Sequence, residues 1–489
     1  MDVGQARRHV ADSLFAALRH VARLAPLSRQ TFARCLTPLL AASIACADST
    51  ATTLAPAVPE TELSAGTATV LDASGRAFQL PIPTLVGTRL ERHTLGDSLF
   101  SLGFLDGLTA SPTAPNVGLG PLFNNTSCFA CHEQNGRGQP PLAPRAYRGM
   151  LFRLSVPPIF GDDPPRPVPS FGGQLQNRAV AGFAAEGTVD ITLERVTGQF
   201  QDGTTYELQR PTYRIASPYV EMPPNVQLSP RIAPQIVGLG LLEAVPDPEI
   251  LMRADPNDRD GDGISGKPNV VFGGITGERK LGRFGHKAST ASLLIQTATA
   301  YNEDVGVTSP LLPTENCALQ HPICGPHAPD ITLDHVQIVA FYTRTLAVPA
   351  RRNVRDTDVK RGAELFTRAG CSACHTPTLH TDATNVEPEL AHLTIHPYSD
   401  LLLHDMGPDL SDGRPDFRAS GSEWRTPPLW GIGLSGFVTG HTRFLHDGRA
   451  RNLEEAVLWH GGEAQRARDF YRSLSKNERD ALLKFLSSL

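Results

Sequence analysis

Two Cys-x-x-Cys-His motifs, separated by about 240 residues, constrain this chain of 489 residues more than any other feature. Their residues are Cys128, Cys131, His132, Cys371, Cys374 and His375. A zinc ribbon would bring its second cysteine pair within roughly 15 to 20 residues of the first, and a thioredoxin-like dithiol needs no histidine after the second cysteine. The spacing instead matches covalent haem attachment, in which two thiols form thioethers and the histidine ligates the iron. The motifs therefore predict two c-type haems.

The composition is typical of a soluble globular protein. Apolar residues make up 40% of the chain and charged residues 19%, and the 43 Gly and 41 Pro predict many turns. A formal net charge of -5 is small for this length and argues against a nucleic-acid partner. No apolar run reaches the roughly 18 to 20 residues that a membrane-spanning helix needs. We expect the mature protein to be soluble.

Residues 1–47 have the charged-then-apolar layout of a signal peptide. Ala45-Cys46-Ala47 offers small residues at a cleavage site, and the alternative is a lipoprotein site at which Cys46 is acylated. Residues 48–62, rich in Ala, Thr and Pro, predict a flexible linker. Because bacterial thioether attachment takes place outside the cytoplasm, we expect a periplasmic protein, free or tethered through Cys46.

Two further cysteines, Cys317 and Cys324, lie in the stretch ENCALQHPIC, and their spacing fits a small disulfide loop. Such a bridge is typical of oxidising compartments and agrees with export. Two free thiols in a loop are the alternative interpretation.

The remaining chain divides into two regions, residues 63–349 and 350–489. In the first, the alternating segments TVDITLERVT and TTYELQRPTYRI predict strands, and VQIVAFYTRTLAVPA predicts a closing helix. The second opens with an amphipathic helix, DTDVKRGAELFTRAG, which leads directly into the second motif. It ends with two helical stretches, NLEEAVLWHGG and NERDALLKFLSSL.

Several long segments resemble the di-haem oxidoreductase family, a relative of the bacterial di-haem cytochrome c peroxidases and MauG. They include GPLFNNTSCFACHEQNGRG, LSPRIAPQIVGLGLLEAVPDPEIL, RGAELFTRAGCSACHTPTL and FLHDGRARNLEEAVLWHGGEA, and the resemblance covers roughly residues 63–489. It implies a mainly α fold of two cytochrome c-like haem domains, with irregular and β insertions in the first. One haem would carry out peroxide chemistry and the other would relay electrons. The family is also labelled thiol oxidoreductase, but thioether bonds would consume the motif thiols.

The sixth iron position decides what each haem does, because a filled position favours electron transfer and an open one favours small-molecule chemistry. The histidine that closes the first haem in resting di-haem peroxidases is missing after the first motif, so the resemblance implies an open haem at His132. His93 and His286 are the residues that could close it. For the second haem, the family pattern places the axial ligand at His460, and Met406 is the alternative.

Peroxide cleavage at the open haem requires a residue that takes a proton from one oxygen and returns it to the other. The relatives use a Gln and a Glu ten residues apart, and this sequence offers Gln176 and Glu186 at that spacing. Glu243 is the alternative acid. The relatives also place a Trp between their haems; Trp459, next to His460, is a candidate for that position.

The acidic run Asp258, Asp260 and Asp262, followed by Gly263, reproduces the first half of an EF-hand loop. Asn269 stands where the bidentate Glu of that loop belongs, so calcium competes with a solvated turn as the interpretation. We therefore expect a periplasmic enzyme with two haems and a calcium candidate, which takes hydrogen peroxide as oxidant and a redox protein as electron donor. A non-enzymatic two-haem electron carrier is the main alternative, and an oxygenase or MauG-like protein-modifying enzyme on the same haem is another.

Overall fold

Short helices alternate with paired strands along the chain. The computed structural model describes residues 60–107, 116–141, 147–160, 163–274, 277–317, 324, 328–382 and 387–489. Helix accounts for 30% and strand for 20%, which makes the fold mixed. The helices are α1 Gly87–Ser101, α2 Leu239–Ala244, α3 Asp247–Leu251, α4 Leu293–Ala300, α5 Leu333–Arg344, α6 Thr357–Arg368, α7 Ser435–Thr439, α8 Leu453–Leu458, α9 Gln465–Ser473 and α10 Lys476–Ser488.

The strands form two-stranded sheets throughout the described residues. They pair as β1 Thr69–Val70 with β12 Val348–Pro349, β2 Leu105–Asp106 with β3 Val117–Leu119, β4 Leu122–Phe123 with β6 Arg178–Ala179, β5 Met150–Ser155 with β9 Gln227–Ile232, β7 Thr188–Gln199 with β8 Thr205–Ala216, β10 Val270–Phe272 with β11 Arg279–Leu281, β13 Leu379–His380 with β14 Thr394–Ile395, and β15 Leu403–Asp405 with β16 Glu423–Arg425.

The longest sheet is the β7/β8 hairpin, which confirms the strands predicted in the first region. Its register runs unbroken from Thr188 opposite Ala216 to Gln199 opposite Thr205. Beyond the hairpin's end, the guanidinium of Arg479 lies 3.8 Å from the ring centre of Phe200. The insertion therefore packs its tip against the second region, where an Arg–aromatic contact adds to apolar burial.

Helix α6 shows how local sequence delivers the second motif. Asp356 caps its first turn by accepting from the backbone N–H of Asp358 and Val359. Its buried face packs on α10, and a side chain at Gly362 would collide with the carbonyl of Ala481. Gly370 then adopts a left-handed conformation (φ 81°), which turns the chain directly into the motif. The predicted amphipathic helix is confirmed, as are the helices near the C-terminus and before Pro349.

Residues from Val58 onward form one compact unit, and its largest apolar core draws on both regions. Phe78, Val237 and Val348 pack there with Leu402 and Trp430. The domain boundary at residue 349 stays a prediction. The predicted signal peptide, Cys46 and most of the 48–62 linker lie outside the described residues.

Within the described part of the chain, no helix combines the length and apolar character needed to cross a membrane. The disulfide between Cys317 and Cys324 is present, as predicted.

Candidate functional site

A cavity of about 870 Å³ lies where the two Cys-x-x-Cys-His motifs meet. All six motif residues line it, although the two motifs are about 240 residues apart in the sequence. The four motif cysteines carry no disulfide. Free thiols and imidazoles around an enclosed space are the donor set that covalent haem attachment needs. The motif residues therefore fit two haems in this cavity.

The first motif is a tight turn anchored on α1. The backbone N–H of Cys131 and of His132 both bond the carbonyl of Cys128, at 3.1 and 3.0 Å. Phe129 N donates to the carbonyl of Phe100, the penultimate residue of α1, at 3.3 Å. This turn brings both thiols and the imidazole to the same wall of the cavity.

His132 is held in an orientation that suits an iron ligand. Its Nδ1 lies 2.8 Å from the carbonyl oxygen of Pro234. Burial lowers the pKa of His132 to about 4, so the imidazole is neutral at neutral pH. When Nδ1–H donates to that carbonyl, the lone pair of Nε2 is free for a metal.

The second motif repeats this arrangement. Nδ1 of His375 lies 2.9 Å from the carbonyl oxygen of Tyr398, and burial lowers the pKa of His375 to about 4. Both histidines thus combine a committed Nδ1 with a free Nε2.

Both predicted sixth ligands of the second haem line the cavity. Nδ1 of His460 lies 2.7 Å from the carbonyl oxygen of Ala456, one turn earlier in α8, so Nε2 is again free. Burial lowers the pKa of His460. Burial is also the main cause of the lowered pKa of His375, to which His460 adds. Met406 also lines the cavity, on the segment that follows β15.

The two histidines that could close the first haem have different surroundings. His93 is buried and contacts Thr345 through Nδ1 at 2.7 Å, and it is not among the residues that line the cavity. His286 does line it, with Nε2 2.8 Å from the carbonyl oxygen of Ile232. Only His286 of this pair is therefore placed to approach a cofactor.

Gln176 and Glu186 are brought together as their spacing suggested. Both are fully buried; Glu186 Oε2 accepts from Gln176 N at 2.7 Å, and Gln176 O accepts from Glu186 N at 2.9 Å. Burial raises the pKa of Glu186 to about 8. Neither side chain is among those that line the cavity, but Gln176 Nε2 donates at 2.8 Å to the carbonyl of Glu303, which does line it.

Each of these two side chains, Glu186 and Gln176, has one buried oxygen, Oε1, without a hydrogen-bond partner among the described residues. A buried polar atom left unpaired is costly, so both atoms favour a small polar partner such as water or peroxide. Because the raised pKa keeps Glu186 protonated at neutral pH, its Oε1 can donate, whereas Oε1 of Gln176 can only accept. The alternative acid, Glu243, is instead engaged by Arg344 Nε at 2.5 Å and by Leu293 N at 2.7 Å.

The tryptophan in the cavity wall is Trp424, which the sequence did not single out. His446 stacks on its indole, with ring centres 3.8 Å apart and planes 12° apart. Lys287 Nζ lies 4.4 Å from the centre of the same indole. Trp459, the predicted candidate, is buried but does not line the cavity. Nothing in the local sequence distinguishes Trp424 from Trp430 and Trp459.

The acidic loop has the shape of a cation site. One carboxylate oxygen from each of Asp258, Asp260 and Asp262 lies within 4.8 Å of the others, and all three residues are exposed. Asn269 cannot complete the loop, because its Nδ2 donates to two backbone carbonyls and its Oδ1 accepts from Arg418 N.

Comparison with known proteins agrees with the donor set. The family model described as "Di-haem oxidoreductase, putative peroxidase" matches residues 59–153 and 160–489. No functionally curated protein shows a significant match. Among solved structures, hydrazine synthase from Kuenenia stuttgartiensis is similar at 15% identity, over 93% of this chain and 100% of that chain, with a TM-score of 0.34.

Proposed function

Because this chain belongs to the di-haem oxidoreductase family, we propose that it is an exported enzyme that reduces hydrogen peroxide at one haem and receives electrons through the other. The observation that carries the proposal is the shared cavity, lined by both motifs with a neutral imidazole in each. The overall reaction consumes two electrons and two protons for each peroxide and yields two waters. A bound haem supplies the iron that takes up peroxide and exchanges electrons.

The catalytic haem is assigned to the first motif. Cys128 and Cys131 would form its thioethers, and His132 would be the proximal ligand. His93 bonds Thr345 away from the cavity, which supports an open sixth position. His286 lines the cavity, and ligation by this residue would instead favour a two-haem electron carrier.

Glu186 is the proposed acid–base residue at this haem. A carboxyl with a pKa near 8 can both accept and release a proton close to neutral pH, which is what peroxide cleavage requires. Gln176 holds one carboxylate oxygen through its backbone N–H, so the unpartnered Oε1 is the atom that would exchange the proton.

The second haem is assigned to electron transfer. Cys371 and Cys374 would attach it, with His375 and His460 as the two axial ligands. If His375 and His460 both hold the iron, this haem would exchange electrons without binding peroxide. Met406 is the alternative ligand from the same wall, and it would raise the reduction potential.

The remaining assignments are the cellular compartment, the electron donor and the cation at the acidic loop. The Cys317–Cys324 disulfide supports an oxidising compartment such as the periplasm, whether the chain is free or tethered through Cys46. A redox protein would then be the electron donor. The three clustered carboxylates favour calcium, held weakly because the twelfth loop position is committed elsewhere.

Removing one haem at a time tests whether one haem reduces peroxide and the other transfers electrons. The holoprotein, a Cys128→Ser/Cys131→Ser variant and a Cys371→Ser/Cys374→Ser variant would be compared for peroxide consumption with an artificial electron donor. Loss of the first attachment site should abolish peroxide consumption. Loss of the second should leave a peroxide-reactive haem that is no longer re-reduced efficiently. The opposite pattern would reverse the two roles, and peroxide consumption by neither the holoprotein nor the variants would refute the function.

A further inference from the structure

Two arginines that line the cavity and are not exposed lack a carboxylate partner among the described residues. Arg137 Nε and Nη2 bond only the backbone carbonyls of Arg443 and Leu445, at 3.3 and 3.2 Å. Arg425 Nε and Nη1 bond only the carbonyls of Gly285 and Thr426, at 3.0 and 3.2 Å. Each guanidinium therefore retains one Nη amino group without a partner in the described part of the protein: Nη1 of Arg137 and Nη2 of Arg425.

Other arginines of the same cavity have carboxylate partners. Arg153 bonds the carboxylate of Glu303. Arg231 and Arg414 share the carboxylate of Asp416, at 3.4 and 3.1 Å. Arg368 and Arg466, which also line the cavity without a carboxylate partner among the described residues, are exposed. Arg137 and Arg425 are thus the exception among the arginines of this cavity that are not exposed.

An enclosed guanidinium without an anion is costly. Burial lowers the pKa of Arg137 and of Arg425 to about 10, which reflects the penalty on the charged form. Backbone carbonyls satisfy hydrogen bonds but do not neutralise a charge, and a cation in a low-dielectric site needs an anion nearby. Asp400, the acid that acts on Arg425 from a distance, already accepts from His404 Nε2 at 2.8 Å and from Leu402 N at 3.0 Å.

We propose that these two guanidiniums are the counter-ions of the haem carboxylates, with Arg137 binding a propionate of the His132 haem and Arg425 binding a propionate of the His375 haem. The inference rests on the proposed function in that it assumes a haem at each motif. The guanidinium fork matches a carboxylate through two N–H groups, which a lysine cannot reproduce.

The position of each arginine supports this pairing. Arg137 follows the first motif by five residues, in a segment where Asn135 N bonds His132 O at 2.9 Å. Arg425 lies on β16, opposite Leu403 of β15. The segment before β15 is tied to the second motif, because Asp400 N bonds Cys374 O at 3.0 Å. Each arginine thus lies on a segment that is close along the chain, or hydrogen-bonded through a neighbouring segment, to the corresponding motif, while its guanidinium bonds at least one carbonyl of the other region.

The test uses the holoprotein with Arg137→Gln and Arg425→Gln, measured by spectroelectrochemical titration and resonance Raman spectroscopy. Removal of a cation disfavours the electron-rich ferrous state, so each variant should lower the reduction potential of its own haem more than that of the other. The propionate bending mode of that haem should shift as well. Arg195→Gln, an exposed arginine on β7, is the control and should leave both potentials unchanged.

The Lys variants provide a second test in case the Gln variants do not retain haem. Arg137→Lys and Arg425→Lys keep the charge, so potentials should stay near those of the unaltered protein while the propionate modes still shift. Unshifted modes in both the Gln and Lys variants would overturn the proposal. So would a formate-dependent spectral change that the unaltered protein shows and the variants lack, because the arginines would then serve a free anion. None of these measurements involves peroxide, so their failure is distinguishable from failure of the proposed function.

Discussion

The environment of Glu186 makes a quantitative prediction about how peroxide consumption depends on pH. Burial raises the pKa of Glu186 from 4.5 to about 8. With that value about 1% of the molecules carry the ionised carboxylate at pH 6, about 10% at pH 7 and about half at pH 8. If the ionised form removes the first proton of peroxide, the rate should rise roughly tenfold between pH 6 and pH 7 and level off above pH 8.

The Glu186→Gln variant should lose this dependence together with most of its rate. General acid–base catalysis contributes about 10² to 10⁴ in rate, so we expect a loss of that size, with both haem spectra unchanged. Glu194→Gln, an exposed carboxyl on the hairpin strand β7, is the matched control and should retain the full rate. Stopped-flow measurement of peroxide consumption from pH 5.5 to 9 gives the profile. A Glu186→Gln variant with an unchanged rate and profile would refute the assignment.

The same pKa predicts a change in stability. A carboxyl whose pKa is raised in the folded state binds more protons folded than unfolded between pH 4.5 and 8, so the free energy of unfolding falls as pH rises through that window. The shift corresponds to a loss on the order of 5 kcal/mol at most. Glu186→Gln should therefore be more stable than the unaltered protein at pH 8 and closer to it at pH 5. Denaturant unfolding at the two pH values measures this, and an equal difference at both would contradict the buried environment.

Three further predictions concern other parts of the structure. His460→Ala should convert the low-spin electron paramagnetic resonance signal of the second haem to high-spin, whereas Met406→Leu should leave it low-spin. Lys287→Met, which removes the nearer of the two cations beside the buried carboxylate of Asp412 and leaves Arg231 at 4.0 Å, should cost about 3 kcal/mol in unfolding free energy, whereas Lys484→Met on the exposed surface should cost below about 1 kcal/mol. Calcium at about 1 mM should raise the melting temperature of the unaltered protein, and Asp260→Asn should reduce that effect in calorimetry.

Features encoded by short-range sequence were predictable. The spacing within each motif predicted the residues that the structure brings to one cavity, and short alternating segments predicted the strands β7 and β8. The family spacing drew attention to Gln176 and Glu186, which two hydrogen bonds join in the structure, while their catalytic role stays a prediction.

Features that depend on contacts between distant segments were not predictable. Trp424 reaches the cavity because β16 pairs with β15, and its stacking on His446 joins residues from different loops. Asn269 fitted an EF-hand by its position alone, but tertiary contacts occupy its whole side chain. Arg137 was unremarkable in sequence, because the lack of an anion becomes visible only when every neighbour is known.

The electron paramagnetic resonance spectrum of the ferric holoprotein, before and after addition of hydrogen peroxide, tests the central claim most directly. We predict one high-spin and one low-spin haem, with the high-spin signal changing on addition of peroxide. Two low-spin signals that do not change on addition of peroxide, even after partial reduction, would contradict an open catalytic haem at His132. The protein would then be an electron carrier.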